Sequence, residues 1–119
     1  MINPTTGALT AMSGAPFPTD TDPSSVALGS TGKLLFVANT ASNSISAYTV
    51  NTTTGALTAV AGSPFPDGGT GPVSVAADPS NSFVVAANNG SSSVSVMRIS
   101  STGTLTPVSW FTVPGWEWT

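Results

Sequence analysis

The residues able to do chemistry in this chain are few, and their scarcity decides what can be argued from them. Five carboxylates (Asp20, Asp22, Asp67, Asp78 and Glu117) face two cations, Lys33 and Arg98, for a net charge of -3; histidine and cysteine are absent. Without histidine the chain lacks the commonest general base and the commonest metal ligand. Without cysteine it has neither disulfides nor thiolate chemistry. The many serines have no base to activate them, and a serine hydroxyl without one is a weak nucleophile. These residues predict no catalytic group, no cofactor and no metal, hence a chain that is not an enzyme.

"TDTD" sets Asp20 and Asp22 two apart, with Asp67 in a later loop of similar composition. A calcium ion takes six or more oxygens, often from such alternating carboxylates, but a polar loop between strands is the expectation. Asp78 precedes Pro79, where its side chain can set a turn by bonding the backbone ahead. Asn51-Thr52-Thr53 and Asn89-Gly90-Ser91 are acceptor triplets for N-linked sugar, both in turn-forming stretches. The end, "SWFTVPGWEWT", places Trp110, Phe111, Trp116 and Trp118 close together as candidates for a subunit or ligand contact.

Charged residues make up 6% of the chain, against roughly 25% in soluble domains generally. Two separated cations cannot neutralise a run of phosphates, which excludes nucleic acid as a partner. No apolar run is long enough to span a membrane as a helix. The start, "MINPTTGALT", has neither the cationic nor the apolar region of a signal peptide. Low charge with two sugar acceptors nevertheless favours an extracellular or cell-surface setting.

What must position these residues is a repeat. A shift of 48 positions lays Gly7 on Gly55, Gly14 on Gly62, Pro16 on Pro64 and Phe17 on Phe65. One extra residue in "PDGGTG" makes the shift 49, and Asn39 then meets Asn88 and Ser46 meets Ser95. A one-residue deletion in "SSTG" restores 48, so that "GTLTPVSW" starts a third copy at Gly103. Each unit reads as four short strands, "SSVALG", "KLLFVAN", "SISAYTV" and "ALTAV", then "VSVAAD", "SFVVAAN", "SVSVMRIS" and "TLTPVSW". "SISAYTV" and "SVSVMRI" alternate as half-buried strands do, whereas "LLFVA" and "FVVAA" are continuously apolar, as expected of strands covered on both faces. "GSTGK", "NTASN", "NTTTG" and their counterparts supply the turns. No helix is expected.

Four antiparallel strands per 40 to 50 residues are a propeller blade. "TTGALTAVAGSPFP", "GPVSVAADPSNSFVVAAN" and "SSSVSV" resemble the YVTN-type blade of lactonase-like β-propellers, with "LLFVAN" and "FVVAAN" at that family's YVAN segment. The resemblance implies sugar-lactone hydrolysis by His, Glu and Arg at one mouth of a ring, a set that has no matching positions here. The expected fold is all-β: two four-stranded antiparallel blades plus an extra N-terminal strand, completed by neighbouring subunits. Residues 1–12 are a donor-like strand, 13–60 and 61–109 the blades, and 110–119 a Trp-rich end. Since two blades leave apolar flanks uncovered, the expected function is a structural subunit that assembles with copies of itself into a ring or filament. The alternatives are a lectin-like module binding glycans or a fragment of a larger lactonase-like propeller.

Overall fold

The computed structural model describes residues 1–112 and contains nine strands and no helix in that range. In the first blade, β1 (Pro23–Leu28), β2 (Leu34–Asn39), β3 (Ser44–Val50) and β4 (Leu57–Ala59) form an antiparallel sheet in chain order, and β5 (Phe65–Pro66) also pairs with β3. The second blade is β6 (Pro72–Ala77), β7 (Phe83–Asn88), β8 (Ser93–Ile99) and β9 (Leu105–Thr112), again in order. The eight strands expected in the two blades are present, and the class is all-β with two four-stranded blades.

Neither blade has a core of its own. Leu34, Phe36, Ala38, Ile45, Ala47, Val60 and Phe65 of the first sheet bury against Val75, Val84, Ala86, Met97, Ile99 and Leu105 of the second. Side chains alternate across a strand, so one face of β2 and the opposite face of β7 meet in this layer. At one end, backbone and side chains lock the blades together. The Thr40 hydroxyl donates to the Pro72 carbonyl at 2.7 Å, and the Val75 N–H donates to Ser25 Oγ at 3.3 Å. Bulges at the starts of β1 and β6 break the ladder there.

Burial differs from the pattern expected along the strands. Ser44 to Tyr48 of β3 are buried on both faces, although their alternation suggested a half-exposed strand. The cause is the chain before β1, which crosses the polar face of the first blade; Tyr48 Oη donates to the Pro18 carbonyl at 2.6 Å. Conversely, β7 exposes Val85 at 38%, and β1 exposes Val26 at 62% and Leu28 at 57%. These side chains lie on flanks that no other sheet of the described residues covers.

Residues 1–12, expected as a donor-like strand, form one isolated bridge, Ile2 with Leu9. The Gly7 N–H donates to the Asn3 carbonyl at 2.8 Å and the Asn3 N–H to the Ala8 carbonyl at 2.8 Å, so the segment pairs with itself. Trp110 and Phe111, expected in a separate Trp-rich end, belong to β9 and pair with Ser95 and Val94.

Candidate functional site

Two polar zones lie at opposite ends of the blades. The first sits where β2 turns into β3 and β7 into β8. An asparagine ends each second strand and is fully buried: Asn39 and Asn88. Each spends both N–H groups on serines of the next strand. Asn39 donates to Ser44 Oγ at 3.2 Å and Ser46 Oγ at 2.9 Å, and Asn88 to Ser93 Oγ at 3.2 Å and Ser95 Oγ at 2.8 Å. A side chain from the preceding crossing loop closes the group: Thr19 in the first blade and Asp67 in the second. Sequence reasoning noticed that Asn39 and Asn88 repeat but gave them no role. The available signal was a polar residue ending an otherwise apolar strand, a position where burial demands partners.

The second zone is an open cleft of about 420 Å³ at the other end, where turns of both blades meet. Lys33, Thr31 and Thr52 line it from the first blade, and Asn81, Ser101 and Thr102 from the second, over an apolar floor of Leu34 and Val50. Asn81 stands at φ 59°, a left-handed value that asparagine tolerates better than most residues. Its Oδ1 is buried with no hydrogen-bond partner. Hydroxyls and one ammonium group suit a polyol or sugar-like ligand. No general base lines the cleft.

The sequence-selected residues are scattered rather than convergent. Asn51 is an exposed turn residue whose Oδ1 accepts from the Thr53 and Thr54 N–H groups at 2.9 and 3.0 Å. Asn89 is exposed at the opposite end of the blades, its N–H bonded to the Gly71 carbonyl at 2.9 Å. Trp110 and Phe111 are 52% and 58% exposed and, as neighbours in β9, point to opposite faces. Trp116 and Trp118 lie outside the described residues. Asp78 sets its turn as expected: Oδ1 accepts from the Ser82 and Phe83 N–H groups, both at 2.7 Å. Hydrogen bonds, that of the Ser80 hydroxyl foremost, hold its carboxyl below the usual value of 3.8. Arg98 lies over the Phe83 ring, 5.1 Å from its centre. Among the described residues no group of three or more acidic or metal-ligating side chains could hold a metal, and no helix is long and apolar enough to cross a membrane.

This arrangement of blades matches a family model described as "Lactonase, 7-bladed beta-propeller" over residues 2–116. The chain belongs to that family. Several solved structures superpose on it. A protein from Lactobacillus plantarum gives a TM-score of 0.76 at 22% identity, covering 93% of this chain and 33% of its own. The periplasmic gluconolactonase of Pseudomonas aeruginosa gives 0.72 at 23%, covering 86% and 28%. A candidate 6-phosphogluconolactonase from Bacteroides fragilis gives 0.65 at 22%, covering 72% and 24%. At such identities the likeness shows the fold alone. The chain thus spans a quarter to a third of the length of these structures. No curated protein matches it in sequence.

The lactonase family overturns the expectation of a non-enzyme. That expectation sought a whole catalytic set on two blades, whereas a seven-bladed ring can carry its His, Glu and Arg on blades other than these.

Proposed function

We propose that this chain forms two blades of a lactonase-type ring and lends the turn-end cleft to the binding of a sugar lactone. The supporting observation is the family match across both blades. In this reading Lys33 orients an anionic or polar group of the sugar, and the Thr31, Thr52 and Thr102 hydroxyls bond its ring hydroxyls. Opening a lactone needs an activated water and donors for the developing oxyanion, which further blades supply.

The test is hydrolysis of gluconolactone and of 6-phosphogluconolactone by the protein as its natural gene encodes it, measured as acid released above the spontaneous rate. The expected result is acceleration with at least one substrate, and a KM raised about tenfold by Lys33→Ala, the loss of roughly one charged contact. No acceleration with either substrate would sink the lactonase reading. An unchanged KM in Lys33→Ala would remove the cleft from it.

A second reading concerns what covers the flanks. Val26 and Leu28 on one side and Val85 on the other are exposed apolar residues on sheet faces. Copies of the same chain could shelter them as well as further blades of one chain do. Native mass separates the two: a multiple of the chain mass supports assembly, and a monomer excludes it. The extracellular setting and sugar at Asn51 and Asn89 belong to the same proposal, tested by a mass shift on glycosidase treatment of secreted protein.

A further inference from the structure

The two polar groups at the crossing loops differ at two positions, Asp20, which accepts the Ser44 hydroxyl, against Gly68, and Thr19 against Asp67; the second difference leaves a hydrogen atom unaccounted for. In the first blade the Thr19 hydroxyl donates to Asn39 Oδ1 at 2.9 Å. Every polar atom of that asparagine is then satisfied, since its N–H groups serve Ser44 and Ser46. The 48-position shift that lays Phe17 on Phe65 also lays Thr19 on Asp67. Asp67 is 1% exposed and Asn88 is fully buried. Asp67 Oδ2 accepts from the Gly69 N–H at 3.3 Å and the Ser95 hydroxyl at 3.4 Å. Its Oδ1 has no donor, and neither has Asn88 Oδ1, while the Asn88 N–H groups go to Ser93 and Ser95.

Two buried acceptors on adjoining side chains, each short of a donor, are expensive to leave as they stand. A carboxylate can only accept, whereas a carboxylic acid carries one O–H donor. We propose that Asp67 is protonated in the folded chain and that its O–H donates to Asn88 Oδ1, reproducing with a carboxyl group the bond that Thr19 makes with a hydroxyl. One proton satisfies both oxygens, and no other atom has to be added.

The surroundings favour the neutral form. Burial pushes the Asp67 carboxyl above 3.8, against smaller opposing pulls from the Gly69 N–H, the Ser95 hydroxyl and a nearby Asn88 N–H, whose own hydrogen bonds go to Ser93 and Ser95; no charged group acts on it. Those three groups face it from its own loop and from the second blade, and on the first-blade side the Asn43 carbonyl accepts the Asp67 N–H at 3.0 Å. The neighbourhood is tight, since a Cβ on Gly69 would sit 2.3 Å from Asn88 Nδ2.

The consequence is a proton-dependent tie between blades. The crossing loop 67–71 is bonded to the first blade through Asn43, whose Oδ1 accepts the Gly71 N–H at 2.8 Å. It is bonded to the second through Ser91 Oγ, which accepts the Thr70 N–H at 2.9 Å, and through the Asp67–Asn88 contact. Asp67 binds its proton more tightly folded than unfolded, so the folded state holds more protons above pH 3.8. Stability contributed here is full below the unfolded value and declines as pH rises. The folded-to-unfolded ratio falls by up to about tenfold per pH unit, until Asp67 ionises in the folded chain as well.

The direct test is the carboxyl carbon resonance of Asp67 in the full chain labelled with 13C-aspartate, followed from pH 3 to 8. The expected result is a protonated signal that persists well above pH 3.8, with Asp78 as the ionised reference. Titration at or below 3.8 would overturn the proposal, as would an Asp67 signal that shifts on adding sodium or calcium chloride, which would place a cation between the oxygens. Stability of Asp67→Asn gives a second measure, because its amide supplies an N–H at every pH. The fall in stability between pH 4 and 7 should shrink in this variant relative to wild type, and an unchanged slope would equally overturn the proposal.

Discussion

The outer strand of the second blade runs from Leu105 to Thr112 with a single register shift at Val108, whereas that of the first stops at Ala59 and resumes as two residues at Phe65. The 48-position shift lays Gly62-Ser63-Pro64 of the first blade on Trp110-Phe111-Thr112 of the second. Gly62 sits at φ 90°, and a Cβ there would press on the Phe65 ring at 3.3 Å. Proline then removes a donor, so the ladder cannot continue through these three residues. The Ser63 hydroxyl repairs part of the gap by accepting the Ala47 N–H at 2.9 Å. Gly14-Ala15-Pro16 repeats the turn ahead of the first blade, with Gly14 at φ 89°. The break lets the chain leave one blade, cross over the next and cap its buried asparagine. Where the motif is missing, the strand carries on. Val60 packs in the layer between the blades at 6% exposure, while its counterpart Val108, on the second blade, is 47% exposed.

If the two blades form a single folding unit despite this difference, damage to the shared layer should unfold both. Phe36 is fully buried between the sheets. Phe36→Ala should cost about 3–5 kcal/mol and lower the denaturant midpoint in one transition seen equally by probes on either blade. Separate transitions would show that each blade stands alone. A smaller effect follows from the turn. Gly62→Val forces a branched side chain into a left-handed backbone beside Phe65, at about 1–2 kcal/mol, and Gly14→Val should cost less because Phe17 is only half-buried. In the reverse direction, Trp110→Gly with Phe111→Ser and Thr112→Pro should shorten β9. Hydrogen exchange at the β8 amides facing those positions would speed up if it does.

The strands were legible because Val, Ile, Phe and Leu cluster in short runs between Gly- and Asn-rich turns, and the repeat marks each one twice. The extension of β9 through Trp110 was in principle readable from the missing Gly-Ser-Pro, but aromatic residues drew attention to themselves as a contact strip. Burial of Ser44 and Ser46 was not readable, since it depends on a crossing segment more than 20 residues earlier in the chain. The Asp67–Asn88 pair was hidden for the same reason: sequence showed an acidic loop and a strand-ending asparagine, and only folding brings them together. Enzymatic character was misjudged because absence of histidine in two blades carries no information about the others.

The smallest effect is also the sharpest contrast between blades, at their first turns. Gly29 and Asp78 occupy the same place under the 49-position shift, and each donates its N–H across the turn, to Leu34 O at 2.8 Å and Phe83 O at 3.0 Å. Only Asp78 adds side-chain bonds, to Ser82 and Phe83. Gly29 cannot, because a Cβ there would lie 2.5 Å from Asn81 Oδ1 of the neighbouring turn. Asp78→Gly should therefore give the second blade a turn like the first, folded but somewhat weaker. The carboxyl of Asp78 is held below 3.8, so its support is present above that pH and disappears as pH falls through the lower folded value. The gap between Asp78→Gly and wild type, measured as denaturant midpoint, should be widest near neutral pH and close in acid, the opposite sense to Asp67 in the same blade. A gap that stays constant from pH 2 to 7 would mean that the turn's backbone, not the carboxylate, holds it.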